Sequence, residues 1–219
     1  GDMELRILDV SRHQGIIDWD KVNASGRIDG VMLRALGNSA EGKPGKPYLD
    51  PTFERNYTAC TRLGIPVGAY YYSKAVNQTQ ANTELAMLHK ALEGKTLGMP
   101  VAVDVEDGVF DLVSKAMLTD LVAYTMEQIQ GWGVYAMLYA GLCFAEDHLY
   151  MGGAALKKYD VWLAAYRKNK PNPGWAFGMW QYTSKGRLPG ISGNVDLSRA
   201  YKHYPAIIRN AGLGQVKGK

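Results

Sequence analysis

The segment Pro100 to Gly108 reads Pro-Val-Ala-Val-Asp-Val-Glu-Asp-Gly, and its valines alternate with Ala102, Asp104 and Glu106. This period of two is typical of a β-strand, because successive side chains of a strand point to opposite faces. Asp104 and Glu106 are therefore predicted to share one face, roughly 7 Å apart along the strand. Two carboxylates on an otherwise buried strand are costly, since each resists desolvation and disfavours ionisation of the other. We interpret the pair as a candidate functional site rather than a strand end that merely reaches solvent.

The 219 residues fit a single domain, 1–219, that is long enough to bury a sizeable core. Hydrophobic residues make up 47%, as in ordinary globular proteins, and no apolar run approaches the ~20 residues of a membrane span. The net charge of +4 comes from scattered basic residues; it would suit an anionic surface and neither demands nor excludes a nucleic-acid partner. Residues 1–3 resemble an expression remnant, and residues from about 211 to 219 are expected to form a flexible tail.

Eight segments have the alternation or the short apolar runs that are typical of β-strands. They span residues 5–10, 30–36, 66–73, 101–106, 134–140, 160–166, 176–182 and 194–197. Helical patterns follow the first five strands. The first of these patterns ends near residue 25, and the other four span 51–63, 77–92, 114–130 and 142–158. A helical tail is expected from 199 to about 210. Residues 37–50 form an unusually long loop, and long loops in compact domains are often functional.

The order of these elements predicts the fold. Five strand-plus-helix units precede three strands on short connections, and eight strands are what a closed α/β barrel uses. We therefore expect an α/β fold, a modified TIM-like barrel of the form (β/α)5(β)3. The rival is an open doubly wound sheet, but no glycine-rich phosphate loop follows the first strand.

Four carboxylates are predicted to meet at one end of this barrel, where the strands end and active sites form. Asp9 closes the first strand, Asp104 and Glu106 the fourth, and Asp196 the last. Each has a plainer alternative, since Asp9 could cap the following turn and Asp196 could cap the tail helix. Their convergence favours a shared site.

Several aromatic residues are expected around the same end, because each stands near the end of a strand. Aromatic rings with a polar tip can stack on sugar rings and bond their hydroxyls, although any one of these rings could instead belong to the core. The candidate substrate-binding residues are Tyr72, Tyr139, Tyr166, Trp180, Gln181 and Arg34.

Close carboxylates with aromatic neighbours indicate glycoside hydrolysis, in which one carboxylic acid protonates the leaving oxygen and another group stabilises or attacks the sugar cation. A magnesium or calcium site is the competing chemistry, and a glycan-binding barrel without catalysis is the competing function. Cys60 and Cys143 have no metal-ligand spacing and are expected to be buried free thiols.

Five short motifs occur in a fixed order along nearly the whole chain. Together they resemble the glycoside hydrolase family 25 lysozymes. The motifs are Asp9-Val10-Ser11, Gln14-Gly15, Ile17-Asp18-Trp19, Asp104-Val105-Glu106 and Val195-Asp196.

The resemblance implies an N-acetylmuramidase that cuts the β-1,4 bond between N-acetylmuramic acid and N-acetylglucosamine in peptidoglycan. It implies Glu106 as the general acid and Asp104 as the group that stabilises charge or orients the sugar's acetamido group. Asp9 and Asp196 are implied to shape the pocket and tune the acidity of that pair. The expected partner is the peptidoglycan glycan strand, with no cofactor and no metal. We further expect a monomer without nucleic-acid binding or membrane insertion, acting outside the cell or in the wall, either secreted or released as a phage lysin. Another N-acetylated glycan, such as chitin, is the alternative substrate.

Overall fold

The computed structural model describes residues 4–218. Within this range the chain forms nine strands: β1 Leu5–Val10, β2 Gly30–Gly37, β3 Tyr48–Leu49, β4 Val67–Tyr72, β5 Val101–Asp104, β6 Ala136–Gly141, β7 Asp160–Ala164, β8 Met179–Gly186 and β9 Val195–Ala200. The same described residues form six α-helices: α1 Trp19–Ala24, α2 Phe53–Arg62, α3 Gln78–Leu92, α4 Lys115–Gly131, α5 Leu142–His148 and α6 Tyr204–Ala211. Short 3₁₀ turns span Arg12–Gln14 and Gly108–Leu112.

Eight of the strands form a closed barrel in the order β1-β9-β8-β7-β6-β5-β4-β2, and pairing between β1 and β2 closes it. The predicted α/β barrel is confirmed. The short strand β3 lies outside the ring and pairs only with the end of β2. Helices follow the first five barrel strands, whereas residues 165–178 connect the parallel strands β7 and β8 without a helix.

The last strand departs from the parallel arrangement. β9 runs antiparallel to both of its neighbours, β8 and β1. The interpretation of Asp196 as the closing residue of a parallel strand is therefore wrong, because Asp196 is the second residue of β9. It still lies at the same end of the barrel, since an antiparallel strand begins where its neighbours end.

Two helix boundaries and the burial of one cysteine also differ from the expectation. The helix predicted over 142–158 ends at His148, and two glycines, weak helix formers, stand at 152 and 153. The helical tail begins at Tyr204 rather than 199, because residues up to Ala200 extend β9. Cys60 is buried as expected, but Cys143 is exposed near the start of α5.

Two buried clusters hold the barrel together. The inner cluster takes residues from several strands, such as Met32, Ala102, Met137 and Met179, and fills the ring. The outer cluster packs the opposite faces of the strands against the helices. Because both strand faces are buried, the barrel strands read as nearly continuous apolar runs.

The segment after α6 is tied to the barrel by backbone hydrogen bonds. The Leu97 amide donates to the Gly214 carbonyl at 2.7 Å, and the Lys217 amide donates to the Trp132 carbonyl at 2.8 Å. Flexibility of residues 211–219 stays a prediction, and residues 1–3 lie outside the described range. Within residues 4–218, every helix is too short or too polar to cross a bilayer.

Candidate active site

The four predicted carboxylates meet at one cavity of about 160 Å³ at the carboxyl end of the parallel strands. Asp9 and Asp196 face each other across the β1–β9 ladder, where they are paired in register. Asp104 is the last residue of β5, and Glu106 lies two residues beyond it. Asp9 and Asp104 are buried, whereas Glu106 is exposed. Asp196 is half-buried. The site thus has three acids at its floor, Asp9, Asp104 and Asp196, and one at its rim, Glu106.

The floor is electrostatically unfavourable for ionised carboxyl groups. Burial raises the pKa of Asp9 well above its usual range, and the neighbouring Asp196 raises it further. Burial also raises the pKa of Asp104, with the nearby Glu106 carboxyl as the next cause, and the charge of Arg34 opposes this shift. The pKa of Asp196 is likewise raised by burial. The fold therefore contains a cluster of carboxyl groups whose raised pKa values favour their protonated forms.

Asp104 has one oxygen without a hydrogen-bond donor. Its Oδ1 is buried, and no N–H or O–H group within residues 4–218 donates to it. The Glu106 carboxyl is in contact but can donate a hydrogen bond only when Glu106 itself is protonated. A buried acceptor of this kind is costly unless something satisfies it, so Asp104 Oδ1 is poised for a donor from outside the protein.

Gln181 connects the aromatic side of the cavity to the acids. Its Nε2 donates to Asp9 Oδ2 at 2.8 Å. Its Oε1 accepts hydrogen bonds from the hydroxyls of Tyr139 at 2.6 Å and Tyr166 at 2.8 Å. These three contacts fix the orientation of the amide and hold the two phenols beside the carboxylates.

The structure brings most of the sequence-predicted site residues to the cavity wall. These are the four carboxylates with Tyr139, Tyr166 and Gln181. Tyr166 as a residue is 58% exposed, so it is accessible to a ligand from solvent.

Three predicted substrate-binding residues do not line this cavity. Trp180 is buried, and its indole N–H donates to the Ala165 carbonyl at 2.9 Å. The Arg34 guanidinium donates to Asp50 Oδ2 at 2.8 Å and is also buried. Tyr72, the last residue of β4, donates its hydroxyl to Asp107 Oδ2 at 2.8 Å.

Sequence reasoning missed two wall residues, Tyr70 and Trp162. The Trp162 indole lies 4.7 Å from the Tyr139 ring between centroids, and its N–H donates to Ser198 Oγ at 3.0 Å. Trp162 pairs in register with Tyr139, which in turn pairs with Asp104. The position of Trp162 at the cavity wall therefore follows from the register between neighbouring strands. That register is set by the three-dimensional pairing of the strands.

Across residues 4–218, no group of three or more His, Cys, Asp or Glu side chains is arranged to hold an ion. The residues that line the cavity contribute carboxyl groups, phenols, an indole and an amide, a set that suits proton transfer and sugar binding.

Comparison with known proteins links this geometry to a family. The family model described as glycosyl hydrolases family 25 matches residues 8–191. The autolytic lysozyme of Clostridium acetobutylicum is 26% identical over 190 residues, which cover 87% of this chain and 54% of that protein. The uncharacterised protein YegX of Escherichia coli K12 is 29% identical over 195 residues, covering 87% and 67%. The crystal structure of the bacterial lysozyme from Streptomyces coelicolor superposes with a TM-score of 0.80 at 20% identity, covering 96% and 100%, which supports the fold. The match extends over most of the chain and includes Asp9, Asp104 and Glu106; the chain belongs to glycosyl hydrolase family 25.

Proposed function

We propose that this family 25 hydrolase is an N-acetylmuramidase, cleaving the β-1,4 bond between N-acetylmuramic acid and N-acetylglucosamine in peptidoglycan. The observation that carries the proposal is the pairing of an exposed acid, Glu106, with the buried, donor-free oxygen of Asp104 in one small cavity. The names of relatives such as the autolytic lysozyme support the same substrate.

Glu106 is the proposed general acid. Its carboxyl lies at the rim, where an incoming glycan's bridging oxygen can reach it, and protonation of that oxygen makes the sugar a better leaving group. The contact with Asp104 favours retention of one proton between the two acids, because two adjacent carboxylates resist simultaneous ionisation.

Asp104 is the proposed partner of the sugar. Its free Oδ1 can accept the N–H of a bound acetamido group, which would satisfy the buried oxygen and orient the acetamido oxygen toward the anomeric carbon. Positive charge that develops on the sugar ring is stabilised by the same carboxylate. Asp9 and Asp196 are proposed to shape the floor, and Asp9 also to tune the acidity of Asp104 through its nearby charge.

The proposed sugar contacts are the aromatic wall and its amide. Tyr166 offers an exposed ring, while Tyr139, Tyr70 and Trp162 form the inner wall. Two predicted residues would act from behind. Trp180 holds the carbonyl next to Tyr166, and Arg34 counteracts the raised pKa of Asp104.

The partner and location follow from the substrate. We propose that the enzyme acts as a monomer on glycan strands of the bacterial wall, after secretion or as a phage lysin. The net charge of +4 supports attraction to an anionic wall.

The variant Glu106→Gln tests the role of the acid. It keeps the size and polarity of the side chain but removes the transferable proton, so the release of new reducing ends from purified peptidoglycan should fall at least ~100-fold. Glu127→Gln, an exposed glutamate of α4, is the matched control and should retain wild-type activity. Both variants should keep the wild-type thermal midpoint. Substantial activity in Glu106→Gln would remove Glu106 from this role, and binding of glycan by the wild type without any cleavage would favour a non-catalytic binder.

A further inference from the structure

A buried lysine joins the long β2–β3 loop, residues 38–47, to the rest of the barrel rim. Lys74 is 1% exposed, although lysine side chains are almost never fully buried without a partner. Its Nζ donates to the carbonyls of Ala40 and Lys43, the latter at 3.1 Å. The same nitrogen lies 3.4 Å from Asp107 Oδ2. The ammonium group of Lys74 thus holds the loop through these contacts.

Asp107 is the other half of this contact and directly follows Glu106 in the chain. It is fully buried, and its Oδ1 accepts the amide N–H of Gly42 in the loop at 3.1 Å and that of Val109 at 2.9 Å. Its Oδ2 accepts the Tyr72 hydroxyl at 2.8 Å. One carboxylate therefore connects the loop, the end of β4 and the segment that carries Glu106.

The surroundings of Asp107 favour its charged form. Burial alone would raise its pKa, but the hydrogen bonds from Val109, Tyr72 and Gly42 and the charge of Lys74 outweigh burial and hold the pKa below its usual range. Such buried pairs add little net stability, because the desolvation of both ions offsets their attraction. A pair of this kind is better explained by the geometry that it imposes.

The β2–β3 loop lies against the segment that follows Glu106. A side-chain oxygen of Glu41 is 3.8 Å from the point where a Cβ on Gly108 would stand. Tyr72 is close enough to Glu106 for its phenol pKa to respond to that carboxylate. Displacement of the loop would therefore be transmitted to the immediate surroundings of Glu106.

We propose that Lys74 and Asp107 are positioning residues of the active site: their ion pair fixes the β2–β3 loop to the residue after Glu106 and thereby holds the Glu106 carboxyl in place. The inference rests on the proposed function for its kinetic part. The anchoring of the loop is a structural statement that can be tested independently of activity.

Lys74→Met is the informative variant, because the backbone at position 74 has its own support. Glu84 accepts the Lys74 amide N–H at 2.9 Å and the Ser73 hydroxyl at 2.6 Å, and neither contact involves the lysine side chain. Asp107 also retains its three other donors. Methionine fills similar volume in the buried channel, so the variant is expected to fold.

Lys202→Met is the matched control. Lys202 Nζ lies 3.4 Å from Asp160 Oδ2, the same separation as in the Lys74–Asp107 pair. Asp160 is the first residue of β7 and lies at the opposite end of the barrel from the carboxylate cluster. The control therefore removes a lysine partner from an aspartate without touching the site.

Two readouts decide the proposal at a temperature where all proteins are folded. Lys74→Met should lower kcat on peptidoglycan at least tenfold with KM changed less than threefold, and it should speed cleavage after Glu41 by a glutamyl endopeptidase at least fivefold. Lys202→Met should match the wild type in both. Wild-type kcat in Lys74→Met, or an equal fall of kcat in Lys202→Met, would overturn the positioning role. If the wild-type protein releases no reducing ends, the proposed function fails, and unchanged cleavage after Glu41 in Lys74→Met would then overturn the anchor as well.

Discussion

At the scale of single residues, Asp104 combines a cost in stability with a proposed role in catalysis. Its side chain is buried beside another carboxyl group, and one oxygen has no donor among the described residues. Leaving a buried acceptor unsatisfied costs on the order of 1–3 kcal/mol. Active sites commonly retain such costs because the unsatisfied group is reserved for the substrate.

Asp104→Asn is therefore predicted to stabilise the fold at neutral pH while lowering activity. The pKa of Asp104 is raised in the folded state, so its contribution to stability is fully present below the unfolded-state pKa of about 3.9. This contribution disappears as the pH rises through the folded-state pKa. Asparagine does not ionise, so the variant should gain about 1–3 kcal/mol over wild type at pH 7, or roughly 2–4 °C in thermal midpoint per kcal/mol, and less at pH 4.

Thermal unfolding at both pH values is the measurement. Asp120→Asn, on the exposed surface of α4, serves as the control and should not change the midpoint. An equal gain at pH 4 and pH 7, or a lower midpoint at pH 7, would contradict the account of Asp104.

At the scale of elements, the sequence predicts the strands better than their pairing. The alternation in Val101 to Glu106 and the carboxylates at strand ends are local patterns, so they are readable from the chain. The direction of β9 is set by its pairing with β8 and β1, which local alternation does not encode. The short strand β3 was also missed, because two residues are too few to show a periodic pattern.

Close packing between elements leads to a prediction at Gly68 in β4. A Cβ there would collide with the Pro100 carbonyl and would lie 2.6 Å from Met32 Sδ and 2.7 Å from Met99 Cβ. Gly68→Ala should therefore lower the free energy of unfolding by about 1–3 kcal/mol through overpacking. Gly131 closes α4, and a Cβ added there would meet no non-local atom of residues 4–218 within 4 Å. Gly131→Ala should therefore be neutral or up to ~1 kcal/mol stabilising.

Urea unfolding of both alanine variants compares the two glycines directly. A Gly68→Ala protein as stable as Gly131→Ala would show that the barrel wall can relax around the added methyl group.

At the scale of the whole molecule, barrel closure converts distant sequence positions into one site. Asp9 and Asp196 become neighbours only because β9 pairs with β1. The acids were predictable, since strand ends converge in any such barrel. The sequence could not predict that Trp162, rather than Trp180, lines the cavity wall. A strand that is buried on both faces does not reveal which tryptophan points inward.

The Lys74–Asp107 pair was also beyond the reach of the sequence. It links the end of β4 with the segment after β5 and a loop after β2, and no periodic pattern relates these three segments. The long loop at 37–50 was recognised as a candidate functional region, but its anchor depends on contacts between segments that are remote in the chain.

The central claim is that the site cleaves the bond on the muramic acid side, and the identity of the newly formed reducing sugar tests it most directly. Purified peptidoglycan should be digested with the wild-type protein, reduced with borohydride, and examined by mass spectrometry. The account predicts fragments that end in reduced N-acetylmuramic acid, absent from the Glu106→Gln digest. Fragments that end in reduced N-acetylglucosamine, or no fragments at all, would contradict it.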